Sequence, residues 1–399
     1  MPPDRAEVLV LGAGIAGCAL AYHLLERNVG PVVVYDPRTP AAGATGRAAG
    51  IVTEQLWDPW DVEVSRASKI EYAQLARRRD ATAFTENGFA RWTRNPEAAE
   101  VLARTVDRLR SWGVRVESID LDQLSRRVPW ARFDDVRGAV WSPEDAVVTP
   151  SAITEIYAES ARSRGVEFWM GTPLDSFRNE GGAWTASSGG RTVRARRAVV
   201  AAGAWSKELL RRVGCPLPLA PYRTQAAVLR PTADCPPDAP SVHDIDLDVY
   251  VRPESNGRIM AGDGTELVEV DPETFRPGGD ETFVTHLAES FDTRFPGWAD
   301  AELIRAWAGV CTSTPDRKPM VGPVPPAEGL YALTGFNGFG VMRAGGIAQR
   351  LAAVLAAGEG SSSELDRLAS VLPGRFRGRL PPFEPRPGFT LEGGENPRF

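Results

Sequence analysis

The chain has 399 residues, 43% hydrophobic and 25% charged, with a formal net charge of −6. This is a globular composition, long enough for two domains or one large one, and its acidic balance argues against nucleic acid, which needs a basic surface. No apolar run reaches the roughly 18 residues of a membrane span, and the four cysteines, Cys18, Cys215, Cys235 and Cys311, show neither CxxC spacing nor, with three scattered histidines, a metal pattern. A reduced, cytoplasmic setting without metal or membrane follows as the expectation. The N-terminus, MPPDRAEVLV, has acids beside its one arginine and does not read as a secretory leader.

Val8 to Asp36 reads as a short apolar strand, a glycine turn, a helix and a second apolar strand. Gly12, Gly14 and Gly17 have GxGxxG spacing, and Asp36 follows Gly17 by 19 residues at the end of the second strand. In a dinucleotide-binding unit the first glycine permits the tight turn, and the second admits a pyrophosphate to the backbone. The third lets helix pack on strand, and the acid receives a ribose hydroxyl. The helix is read as amphipathic, with Ile15, Ala16, Ala19, Leu20, His23 and Leu24 on its apolar face. An ordinary glycine-rich connection is the bland alternative.

The loop after Asp36, PRTPAAGATGRAAGIVTEQ, is either a second ligand-facing loop, whose small residues admit close backbone approach, or a flexible connection. Helices are expected over 61–79 and 96–112, with Arg77, Arg78 and Arg79 on a solvated face. Short strands are expected at 136–141 and 146–148, and a helix from Thr149-Pro150-Ser151 to about 163. A strand at 166–170, a ribbon around Trp184 and Val193, and a strand at 198–202 follow. From 216 to 262 alternation suggests an antiparallel sheet with one wetted face. The rest reads as a helix at 281–291, strands at 303–310 and 330–334, a turn GFNGFGVM and a last helix at 344–357. Residues 371–399, rich in proline, read as an irregular tail.

Four segments together resemble the FAD-dependent oxidoreductases of the D-amino-acid oxidase family, the sarcosine oxidase, glycine oxidase and dimethylglycine dehydrogenase type. They are the GAGIAG turn with its acid, ATGRAAGIV, VVAAGAWS at 199–206, and the pair at 305–322 and 329–346. The resemblance implies an α/β fold: a Rossmann-like FAD-binding domain (1–85, 146–215, 302–370) with an inserted, mostly antiparallel β substrate domain (86–145, 216–301). It implies FAD on Gly12, Gly14, Ile15, Ala16, Gly17 and Asp36, with Leu174 at the adenine side. Thr45, Gly46, Arg47, Ala48 and Ala49 run beside the isoalloxazine, and Ala202, Gly203 and Trp205 close over the dinucleotide. Gly309, Gly338, Phe339, Gly340, Val341 and Met342 complete the flavin site, where backbone donors meet the negative charge of a reduced flavin.

The departures from the family are as informative. The histidine that binds flavin covalently in dimethylglycine dehydrogenases falls on Arg47, and the sarcosine oxidase cysteine falls on Gly309, with Cys311 two residues out of register. Non-covalent FAD is therefore expected. The carboxylate-binding arginine aligns with Cys311 and a substrate-side lysine with Met342. Either Arg252, beside Tyr250, or Arg343 replaces them, or the substrate has no free carboxylate; a surface or interdomain ion pair is the bland alternative for both arginines. The lysine that assists oxygen aligns with Met260, so the acceptor is O2 or another species. Tyr250, Arg252, Cys311, Met342 and Arg343 are the candidate catalytic residues. The implied reaction is hydride transfer from a carbon bearing an amine to flavin N5, giving an imine, in a dry pocket of Tyr250, Phe339 and Met260 that keeps the amine neutral. The partners expected are a small amine or amino-acid-like substrate and the electron acceptor, in a monomer or homodimer. The alternatives are C–O oxidation of a hydroxy acid with His243 as base, a flavin monooxygenase with Gly262-Asp263 as its second flavin motif, and a non-enzymatic FAD-binding subunit.

Overall fold

The computed structural model describes residues 4–376 apart from 234, 255, 264–268 and 359–361. Three sheets organise them. In the first, β1 (Arg5–Leu11) lies between β2 (Val32–Asp36) and the long strand Arg191–Val200, and Glu167–Met170 pairs with β2, all in parallel. Leu330–Thr334 pairs in parallel with residues 198–200, while residues 191–195 turn into an antiparallel ribbon with Ala183–Ser188. Val8, Leu9, Val10, Val33, Val34, Val199 and Val200 are almost fully buried, as a parallel sheet covered on both faces requires.

Helix α1 (Ile15–Glu26) fills one of those faces. It is not amphipathic in the expected sense: Cys18 and Ala21 are as buried as Ala19 and Leu20, because α1 packs against the helices Pro150–Arg162 and Gly340–Ala357. Small side chains permit that crowding, and Gly346 lies so close to the helix α2 (Pro59–Arg79) that a Cβ there would meet the Val64 carbonyl oxygen at 2.4 Å. Arg77, Arg78 and Arg79 are exposed, as expected.

The second sheet has the order Glu302–Ser313, Ala220–Arg230, Ile259–Asp263, Val249–Pro253, Ser241–Asp244, Phe89–Thr93, Gly138–Ser142, Glu117–Ser118. Every neighbour pair is antiparallel except Ser241–Asp244 with Phe89–Thr93. Glu302–Ser313, placed by sequence in the FAD-binding domain, runs along Ala220–Arg230 in this sheet. The expected wetted face is absent over Ile259–Asp263, whose five residues are all buried. One side packs on the helix Glu281–Arg294 through Phe283, Leu287 and Phe291, and the other is the wall of a large cavity. The alternation in sequence marks two different covered environments rather than core and solvent.

The last helix begins at Gly340, four residues earlier than expected, so Gly340, Val341 and Met342 form its first turn. Strands Phe89–Thr93 and Ser241–Asp244 were not anticipated. The C-terminal tail expected over 371–399 lies outside the described residues beyond 376.

Candidate active site

A cavity of about 1230 Å³ runs from the C-terminal ends of β1 and β2 to the inner face of the second sheet. Its first end is shaped by backbone. Gly12 has φ +118°, and a Cβ on it would sit 2.4 Å from the Ala201 carbonyl oxygen. A Cβ on Gly17 would lie 2.0 Å from the Gly12 carbonyl oxygen, so the third glycine sets the approach of α1 to the strand rather than touching the cavity. Asp36 accepts hydrogen bonds from the Ala13 and Arg38 amides, both at 2.9 Å, and its carboxylate stands at the turn. The helix N-terminus at Gly14 has no side-chain cap, and its first amide, of Ile15, donates to Thr45 Oγ1 at 3.1 Å. This is the groove that a pyrophosphate fits: backbone donors, a positive helix end and no side chain in the way.

The loop after Asp36 is a fixed wall rather than a flexible connection. Ala41 N donates to the Ala13 carbonyl, a short 3-10 turn covers Thr45–Arg47, and Gly43, Thr45, Arg47, Ala48 and Ala49 line the cavity. Thr45 is set against the start of α1, and Gly46 turns away, tight against the Ala41 carbonyl. Leu174, Ala202, Gly203 and Trp205 line the same end; Trp205 donates to Glu273 at 2.6 Å, and the Arg38 guanidinium lies 4.3 Å over its ring.

At the second end the turn 335–340 is clamped from behind. Asn337, at φ +54°, donates through its side chain to the Gly335 carbonyl at 2.6 Å and accepts from Thr314 N at 2.9 Å, while its amide donates to the Thr312 carbonyl. Tyr72 donates to the Val341 carbonyl at 2.7 Å. Arg343 is fully buried, pairs with Asp61, and donates to the Phe336 carbonyl at 2.8 Å. With these carbonyls held from behind, the uncapped N-terminus of helix Gly340–Ala357 opens into the cavity beside Gly338, Phe339 and Met342. Such donors stabilise negative charge without any acid or base.

Across from this turn stands the second sheet. Tyr222, Thr224 and Ala226 pair in register with Cys311, Gly309 and Trp307, and Ala226, Gly262, Tyr250 and His243 form a continuous row on the same face. The Tyr250 ring lies over Gly262, where a Cβ would fall 2.1 Å from its hydroxyl. His243 Nε2 is 3.4 Å from Asp248 Oδ1, and burial pushes this histidine below its ordinary pKa. Tyr222 lies beside Cys311 in register, and burial pushes that thiol up to about 11, so it remains protonated at neutral pH.

Of the residues that sequence singled out for catalysis, Tyr250, Cys311 and Met342 line this end and Arg252 and Arg343 do not. Arg252 donates to the Pro253 carbonyl at 2.7 Å and to Glu254 at 3.1 Å; Arg343 is the strut beneath the turn. Met260, expected in the pocket, packs with Ala226 and Trp307 instead. Gly309 faces Arg47: a Cβ on it would lie 3.2 Å from the Arg47 Cβ, so the two positions that the resemblance marks for covalent flavin attachment lie side by side, and neither is histidine or cysteine. Arg47 itself bonds to the Ala42 and Gly43 carbonyls. Gly262-Asp263 ends a strand, and the segment that would continue a monooxygenase motif, 264–268, lies outside the described residues. Sequence reasoning missed Asp248 and Asn337, and His286 is committed to the Leu247 carbonyl at 3.0 Å. Among the described residues no cluster of side chains could hold a metal ion, and no helix is long and apolar enough to cross a membrane.

The residues at both ends fit FAD, and comparison with known proteins agrees. Rat mitochondrial dimethylglycine dehydrogenase is 26% identical over 379 residues, covering 89% of this chain and 43% of that protein. The chain thus spans less than half of that relative. The solved L-proline dehydrogenase of P. horikoshii superposes with a TM-score of 0.86 at 23% identity, over 94% of this chain and 98% of the other. Glycine oxidase of Geobacillus kaustophilus gives 0.82 at 23%, over 94% and 100%. At these identities the two structures establish the fold. The family model described as FAD dependent oxidoreductase matches residues 7–354, and the chain belongs to that D-amino-acid oxidase family of FAD enzymes.

Proposed function

We propose that the chain oxidises a C–N bond of an amine or amino-acid-like substrate to an imine, with FAD held non-covalently along the cavity. The first sheet and its helices hold the cofactor, and the second sheet supplies the substrate wall. One observation carries the reading: the row from Ala226 to His243, with Tyr222 and Cys311 beside it, faces the helix N-terminus at Gly338–Met342 across a single continuous cavity. Bound FAD supplies the acceptor for the hydride of the carbon attached to nitrogen. The chain's own residues do the rest.

Tyr222, Tyr250, Phe339 and Met342 give the reacting end a mostly apolar lining, which disfavours an ammonium and favours the neutral amine that can give up a hydride. His243, kept neutral by burial, is placed to accept the proton that the ammonium loses, and Asp248 orients its ring. The backbone donors of 340–342 face the charge that develops on the acceptor side. Dimethylglycine dehydrogenase is by its name an enzyme of a methylated amine, which agrees with this assignment.

The His243–Asp248 pair also favours one second reading, C–O oxidation, since that reaction requires a base for the hydroxyl proton. Anaerobic mixing of the purified flavoprotein with panels of secondary amines, amino acids and alcohols separates the two. Bleaching of the flavin by an amine supports the first reading; bleaching by hydroxyl compounds alone replaces it with the second. Acid precipitation is expected to release all yellow colour to the supernatant, and colour retained in the pellet would refute the non-covalent assignment.

A further inference from the structure

The reacting end of the cavity places an uncharged wall where a carboxylate would need a partner. Cys311 and Met342 stand on this wall, and the arginines nearest to it are engaged elsewhere. Arg343 is fully buried under the flavin turn on Asp61, and Arg252 is turned onto Glu254 and the Pro253 carbonyl. Arg47 bonds to the Ala42 and Gly43 carbonyls, toward the dinucleotide end. Arg91, on the strand beside His243, does not line the cavity, is fully buried, and lies in the fields of Asp248 and Asp145.

The other cations along the cavity belong to its far end. Arg38 stacks on Trp205, Lys207 pairs with Glu269, and Arg211 and Arg212 share Glu208. The charged side chains at the reacting end are therefore carboxylates, those of Asp248 and Asp263, and among the described residues lining that end there is no lysine or arginine. A carboxylate placed there loses its hydration and gains neither a bidentate guanidinium nor an ammonium, so it binds more weakly than an uncharged group of the same size.

We infer that the substrate is an amine with an uncharged group, such as an amide, ester or alkyl chain, where amino-acid substrates carry the carboxylate next to the reacting C–N bond. This rests on the amine-oxidation reading and narrows it. Thr224, the Cys311 thiol and the Tyr222 and Tyr250 hydroxyls are the groups on the wall that a neutral polar substituent would meet.

The test compares sarcosine with sarcosinamide, which differ only in that group, by calorimetric titration of the dithionite-reduced holoenzyme, which cannot oxidise either. Sarcosinamide is expected to bind at least about tenfold more tightly, the scale of one charge-assisted hydrogen bond. Cys311→Arg is expected to reverse the order, and Met342→Lys serves if that variant fails to fold. Equal or tighter binding of sarcosine by the native protein, or binding of neither probe, overturns the inference. A separate anaerobic mixing of the oxidised holoenzyme with sarcosine keeps the two readings apart: bleaching with tight sarcosine binding leaves amine oxidation standing while the narrower claim falls.

Discussion

The two ends of the cavity are built from different materials. The dinucleotide end is floored by backbone: Gly12, Gly14 and Gly203 and the uncapped start of α1 leave room and donors there. The reacting end is made of side chains delivered by strands far apart in sequence, 220–230, 241–244, 249–253 and 302–313. Backbone solutions have few sequence spellings, because only glycine tolerates the required φ and clearance. Side-chain solutions have many. Backbone geometry of this kind fixes a cofactor groove, whereas single side chains such as Cys311 and Met342 set the chemistry of the wall opposite.

The largest effect expected is at the first end. Gly12→Ala adds a Cβ 2.4 Å from the Ala201 carbonyl oxygen at φ +118°, so the variant should purify without flavin, read from the ratio of flavin to protein absorbance. Stoichiometric FAD in this variant would break the distinction between the two ends. Next is the strut beneath the second end. Arg343→Met leaves Asp61 buried without its partner, which should cost about 3–5 kcal/mol in urea unfolding, whereas a surface pair would cost less than about 1 kcal/mol; a small loss would return Arg343 to the list of free substrate partners.

A third prediction concerns the clasp between the two regions. Asp145 accepts from Thr53 Oγ1 at 2.5 Å and from Glu54 N at 3.0 Å, its carbonyl accepts from Gly88 N, and Gln55 donates to the Phe89 carbonyl. Burial raises the Asp145 carboxyl from 3.8 to about 7. A raised folded-state pKa means that the native state holds this proton more tightly than the unfolded chain. The contribution is thus complete below about pH 4 and is lost as pH rises through about 7. Asp145→Asn mimics the protonated form, so the stability advantage of the variant over the native protein should grow from pH 4 to pH 8 by a few kcal/mol. A flat difference across that range would show that the clasp does not titrate.

The glycine turn, its acid and the flavin turn were legible because each states a backbone requirement locally. The roles of Arg252 and Arg343 were not, because what decides them is a partner chosen by the fold: Asp61 lies 282 residues from Arg343 in the chain, and no spacing announces it. His243 was readable only as a lone histidine, since SVHD is too short and polar to declare a strand, and its position beside Tyr250 comes from register. The helix start at Gly340 was placed late because glycine and the absence of a capping side chain give no helix signal.

The smallest expected effect tests whether side chains matter at the backbone-built end at all. The Arg38 guanidinium stacks 4.3 Å over the Trp205 ring, and Trp205 is fixed by Glu273 at 2.6 Å. Together they form a side-chain cover over a groove whose floor is glycine. A cation–π contact at a half-exposed site contributes about 0.5–1 kcal/mol, so Arg38→Ala should weaken FAD binding by no more than about fivefold, measured by flavin fluorescence on dilution. The Arg38 amide still donates to Asp36 in the variant, because that bond uses backbone. A loss of a hundredfold or more would mean that Arg38 holds the cofactor directly. The first end would then share the side-chain logic of the second, and its motif would owe its legibility to more than the geometry of glycine.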